Sequence, residues 1–115
     1  LLAMQLKKMK CSTQRAENGK IAVDLLRSSM PGTFDMVLMD LRMPVMDGLE
    51  ATKLIRTELR LSNLPVVALT GEMSADIRGE CERIGFNDFF QKPVGKDKLQ
   101  ELVGKYKDLR DGMAW

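Results

Sequence analysis

Two short apolar runs constrain this chain most: residues 34–39 lead to Asp40, and "PVVALT" at 65–70 ends in Thr70. Each is too short for a helix, nearly continuous in apolar residues and bounded by turn-forming residues, so each reads as a strand buried on both faces. Between them, Ala51, Leu54, Ile55 and Leu59 recur at helical spacing, which predicts a helix over residues 49–60 docked on a sheet. Strand, helix, strand in that order implies a parallel pair joined by a right-handed crossover.

The same alternation extends in both directions. Residues 1–9 read as an amphipathic helix, 11–16 as a short strand, and 17–30 as a helix carrying Ala22, Leu25 and Leu26 on one face, with Pro31-Gly32 ending it. Residues 73–84 hold a thin apolar line of Met73, Ile77, Cys81 and Ile84 interrupted by Gly79, which predicts a narrowly docked helix. A strand at 88–91 follows, and Leu99, Leu102, Val103 and Tyr106 mark a closing helix over about 95–110. The fold class is therefore α/β, a parallel sheet with helices on both faces.

Composition narrows the function classes. The 115 residues suit one domain, and 18 basic against 16 acidic residues leave a net charge of +2 with no stripe for nucleic acid. "QLKKMK" at 5–10 is the densest basic cluster and reads as a solvated helix face. No run of about 18 apolar residues predicts a membrane span, and no signal peptide is present, so the expected location is intracellular and cytoplasmic. Cys11 and Cys81 lack metal-binding or redox spacing and read as reduced, small apolar residues. There is no histidine, which excludes His-based triads and a phosphohistidine on the chain itself. The sequence begins at Leu1 without Met, which reads as part of something longer.

An aspartate closing a buried strand raises a physical demand. A carboxylate at the edge of a core costs free energy unless hydrogen bonds, a cation or a metal compensates it. In a parallel sheet the carboxyl ends of the strands share one edge, where ligands gather. Asp40, Thr70 and Lys92 fall at or just past three such ends, bringing a carboxylate, a hydroxyl and an ammonium together. In isolation Asp40 reads as a turn or helix cap; with the other two in register it reads as a nucleophile. Asp47, before Gly48, is better explained as the N-cap of the following helix. If a carboxylate attacks phosphorus, the reaction needs charge neutralisation on the phosphoryl oxygens, and the product is an acyl phosphate.

At this point the sequence resembles the receiver domains of two-component signalling. "MDLRMPVMDG" is similar to their phosphorylation-site signature, "ALTG" to the strand that ends in the sensing threonine, and "FFQKP" to the Lys-Pro pair. "AENGKIAVDLL" and "GFNDFFQKPV" match the family's second strand-helix unit and last strand. The separations, 30 residues from Asp40 to Thr70 and 22 from Thr70 to Lys92, are usual in the family. The wording of the first motif is most like receivers of hybrid histidine kinases.

The resemblance implies a flavodoxin-like fold, Asp40 as phosphoacceptor, Thr70 and Lys92 as phosphate contacts, and Thr70 with Phe89 as switch residues. Without it, Phe89 reads as a plain core residue beside Phe90. It implies that Arg42 and Glu72 face each other and tune the lifetime of the acyl phosphate; otherwise they are two solvated side chains. It also implies a cis Lys92–Pro93 bond. Partners would be a histidine kinase or histidine phosphotransfer protein, with an attached kinase or output domain, and no contact with nucleic acid or membrane. The cofactor implied is Mg²⁺, held by Asp40, the backbone carbonyl of Arg42 and an acidic pair closing the family's first strand. No acidic residue precedes Glu17, so that pair and that central strand are missing, and residues 1–115 read as a receiver incomplete at its N-terminus. Two alternatives remain. One is a degenerate receiver used only for protein binding. The other is a haloacid-dehalogenase-type phosphatase, which wants a second Asp where this chain has Arg42 and acidic residues beyond Lys92.

Overall fold

The computed structural model describes residues 2–9, 11–30 and 32–111. Leu1, Lys10 and Pro31, read above as part of the first helix, of the basic cluster and of a helix stop, lie outside the described residues. The elements run α1 (Leu2–Lys8), α2 (Gly19–Ser28), β1 (Val37–Asp40), α3 (Gly48–Thr57), β2 (Val66–Thr70), α4 (Ala75–Ile84), β3 (Asp88–Gln91) and α5 (Lys96–Asp111).

Capping chemistry sets the helix starts. Asn18, Asp47 and Ser74 each accept a backbone N–H three residues on, from Ile21, Glu50 and Ile77. The stop of α4 is Gly85, at φ 114°, a left-handed position that glycine occupies without steric cost. The three strands form one parallel sheet in the order β1-β2-β3, with Val37 opposite Val66 and Val67 opposite Asp88. β2 is buried at every position, as its unbroken apolar run requires of a central strand.

Strand alternation divides the core between the two faces of the sheet. On one face Met39, Val66 and Ala68 pack with Val23 and Leu26 of α2, Ala51 and Ile55 of α3, and Cys81 of α4. On the other, Val67 packs with Leu102 and Tyr106 of α5, and Met36, Leu38 and Phe90 close around them. Helices thus cover both faces, as expected.

Residues 11–16 are not a strand. A strand exists only through its ladder partners, and among the described residues β1 pairs with β2 alone, through bonds such as Val37 N–H to Pro65 O. Among the described residues no strand stands between β1 and 11–16, so that stretch has nothing to pair with. The first strong strand also starts later than its sequence suggests, at Val37 rather than Phe34. Phe34 still packs against the core, so its apolar signal reflects burial and not pairing. α3 ends at Thr57, with Leu59 partly buried beyond it.

Candidate functional site

β1 ends at Asp40, β2 at Thr70 and β3 at Gln91, all at one edge. The Lys92 N–H donates to Thr70 O at 2.7 Å, carrying the ladder one residue past the end of β3. Lys92 Nζ donates to Asp40 Oδ2, and the Arg42 N–H donates to Asp40 Oδ1 at 3.0 Å. Both carboxylate oxygens are engaged, which meets the cost of placing a charge at the end of a buried strand. The pair is open to solvent, with about a third of the Asp40 side chain and somewhat more of Lys92 accessible.

The loop from 41 to 47 is clamped behind the carboxylate. The Gly48 N–H donates to Leu41 O at 3.2 Å, and the Gly19 N–H to Met46 O at 2.9 Å. Neither glycine has room for a side chain. A Cβ on Gly48 would lie 2.3 Å from Asp40 O, and one on Gly19 would lie 2.4 Å from Met46 O. The Gly in "MDG" is therefore dictated by the approach of α3 to the backbone of Asp40. Between these clamps, Met46 N–H donates to Pro44 O around Val45, whose φ of 68° is unusual for a β-branched residue. The Lys92–Pro93 bond is cis, as expected.

Thr70 is buried, and its hydroxyl is committed to its own loop. It donates to Glu72 O at 2.9 Å and accepts the Glu72 N–H at 3.2 Å. Across the mouth, Arg42 Nη2 and Glu72 Oε2 meet at 3.3 Å, so the two side chains do pair. Phe89 is partly buried and packs against the core on the α2–α4 face, which is also the face of Ala68. Asp47 caps α3 through the Glu50 N–H at 2.9 Å, the structural role its sequence suggested. The residues read from the sequence are thus brought together, Phe89 lying behind the edge.

Gln91 was not singled out by its sequence. Its amide donates to Gly71 O at 3.4 Å, tying the loop after β2 to the end of β3. Nothing in the residue type foretells that contact; its place beside Lys92 on the last strand is the only pointer. The expected magnesium site does not follow from the residues present. Among the described residues no three acidic, His or Cys side chains converge, and both oxygens of Asp40 already have donors. Magnesium keeps several waters and is held by one or two protein carboxylates, and here Asp40 and the Arg42 carbonyl stand without the acidic pair that would complete the site.

The chain matches the response regulator receiver domain model over residues 1–104. It is 36% identical over 103 residues to hybrid signal transduction histidine kinase M of Dictyostelium discoideum, covering 87% of this chain and 4% of the kinase. The sensor protein GacS of Pseudomonas syringae pv. syringae is 35% identical, with 95% of this chain and 12% of that protein covered. The chain therefore spans a small part of these kinases. The two-component response regulator ORR41 of Oryza sativa subsp. japonica is 40% identical over 93 residues, covering 80% of this chain and 70% of the regulator. Among solved structures, the receiver domain of the sensor histidine kinase PA1611 of Pseudomonas aeruginosa PAO1 superposes with a TM-score of 0.80 at 28% identity. That match covers 91% of this chain and 84% of the other, which has a magnesium ion coordinated in its active-site cleft. Strand order, the polar residues at the strand ends and these likenesses agree: the chain belongs to the response regulator receiver domains of two-component signalling.

Proposed function

We propose that residues 1–115 form one receiver unit that takes a phosphoryl group onto Asp40 from the phosphohistidine of a histidine kinase or histidine phosphotransfer protein. The reading rests on one observation above all. Asp40 and Lys92 are in direct contact at an open sheet edge, with Thr70 at the end of the strand between them.

A carboxylate oxygen of Asp40 attacks phosphorus, the P–N bond to the imidazole breaks, and the departing nitrogen takes up a proton. The product is an aspartyl phosphate. Charge on the three phosphoryl oxygens is what the protein has to stabilise. Lys92, released from Asp40 Oδ2, moves to one oxygen, and Thr70 donates to another after leaving Glu72 O. The solvent-open side of Asp40 admits the partner's imidazole. Because the group accepted stays on the chain until it is hydrolysed or passed on, the domain is a signalling module and not an enzyme. The similarity to kinases of which this chain covers a small part favours a module joined to a kinase or output domain. The inward turn of Thr70 frees the loop after β2 and lets Phe89 follow, shifting α4 and β3.

The test is incubation with acetyl phosphate and with a phosphorylated histidine phosphotransfer protein, reading acid-labile incorporation. Asp40→Asn is expected to abolish uptake. Uptake that survives in a folded variant overturns the assignment of the nucleophile, and no uptake by the wild type would favour a protein-binding module.

A further inference from the structure

α4 is lightly held. Cys81 is its only buried residue, Ile77 and Ile84 reach the core partly exposed, and Gly79 weakens it from within. Such an element needs few contacts to be lost before it moves. One contact stands out on it. The Arg78 guanidinium lies over the ring of Phe89, 4.5 Å from its centroid. Among the described residues Arg78 has no carboxylate partner, so the ring is what holds it.

The position of the ring matters. Phe89 is in register with Ala68, and Thr70 is the next residue of β2 on that face. Ala68 contributes only a methyl group, so the row that leads from the ring to Thr70 is bordered by little bulk. Among the described residues, the other two cations placed over rings, Lys98 on Phe90 and Lys105 on Tyr106, belong to the α5 side, at 5.6 and 5.1 Å. Arg78 is thus the cation that ties the ring behind the site to α4.

We infer that Arg78 is a latch between Phe89 and α4. Stacked on the ring it favours the resting position of the helix; when Phe89 withdraws beneath α4, the guanidinium loses its platform and the helix is freed. The switching half of this inference rests on the phosphoacceptor reading; the latch itself does not. A cation on a ring at an exposed site biases an equilibrium by about two- to five-fold.

The experiment has two arms on the whole chain. In the first, amide hydrogen exchange of α4 is measured without any phosphodonor in wild type, Arg78→Met, Arg78→Lys, Phe89→Leu and the Arg78→Met/Phe89→Leu double variant. Arg78→Met is expected to speed exchange in α4 about two- to five-fold, Arg78→Lys much less, and Arg78→Met to add nothing once the ring is gone. Additive effects, or unchanged exchange, would overturn the latch. In the second arm, acyl-phosphate formation from acetyl phosphate is timed. The latch predicts that Arg78→Met forms it about two- to five-fold faster; equal rates overturn the switching half. If no variant incorporates phosphate, the phosphoacceptor reading fails together with that half, while the exchange cycle still decides whether Arg78 holds α4.

Discussion

Arg56→Met should cost this fold more stability than any other single surface change. Arg56 leaves α3 one residue before its end, and its guanidinium gathers two loops, the one between α3 and β2 and the one between α4 and β3. Nε donates to Gly85 O at 3.0 Å, Nη1 to Leu64 O at 2.8 Å and to Leu61 O, and Nη2 to Asn87 Oδ1 at 2.8 Å. Asn87 Oδ1 also accepts the Val66 N–H at 2.8 Å, so the cluster sets where β2 begins relative to the entry into β3. Burial pushes the Arg56 guanidinium below its ordinary pKa, a desolvation cost that the four bonds offset. Hydrogen bonds to charged groups contribute about 1.5–3 kcal/mol each, but four on one half-buried group are not additive, since water replaces part of them. A methionine keeps much of the apolar stem and leaves three carbonyls short of a donor, so the expected net loss is about 3 kcal/mol. With an unfolding entropy of about 2.1 cal/mol/K per residue, a chain of 115 residues loses about 12 °C in Tm. Arg56→Lys keeps the charge without the planar fork and should recover less than half of the loss. Urea unfolding followed by far-ultraviolet circular dichroism measures both. A loss under about 1 kcal/mol for Arg56→Met, or wild-type stability for Arg56→Lys, would refute the view that the fork's geometry holds these segments.

Thr52 is buried on α3, and its hydroxyl has no partner among the described residues. Thr52→Val should therefore stabilise by about 1 kcal/mol, and destabilisation in the same unfolding assay would reveal a partner for the hydroxyl. The Tyr106 hydroxyl donates to Asp88 Oδ2 at 3.2 Å, and burial foremost, then Asp88, pushes its pKa up from the ordinary value of 10.0. A raised folded-state pKa gives stability that is complete below pH 10 and lost as pH rises through the folded value, so unfolding should become easier above about pH 10. Tyr106→Phe should flatten that decline, while Lys105, whose pKa the hydrogen bond to Asp88 also raises, is kept; an unchanged profile counts against it. For the Arg42–Glu72 pair across the mouth, alanine at either position should shorten the acyl-phosphate lifetime by about tenfold at most. The double variant should add little, whereas unchanged or additive lifetimes would leave the pair without a role.

What the sequence by itself determined was local and periodic. "PVVALT" has no polar face to offer, so β2 had to be covered on both faces, and the helical spacing of Ala51 and Ile55 placed α3 against it. Asp47-Gly48 announced the start of α3, because a capping oxygen and a residue without Cβ are needed there whatever the surroundings. Asp40, Thr70 and Lys92 were legible as a group, since right-handed crossovers bring successive strand ends to one edge. Only the tertiary structure decided the rest. Residues 11–16 fit the alternation of strands and helices but have no ladder neighbour among the described residues, and a ladder cannot be inferred from one strand alone. Arg56 looks like any basic residue on the outer half of a helix; that it collects Leu61, Leu64, Gly85 and Asn87 depends on where two loops end up in space. The stacking of Arg78 on Phe89 likewise joins residues of a helix and a strand whose relative tilt no pattern of residues records. Periodicity reports which face of an element is apolar, because that is a property of one segment. Which polar groups meet depends on the packing of several segments at once, and so appears only when the fold has closed.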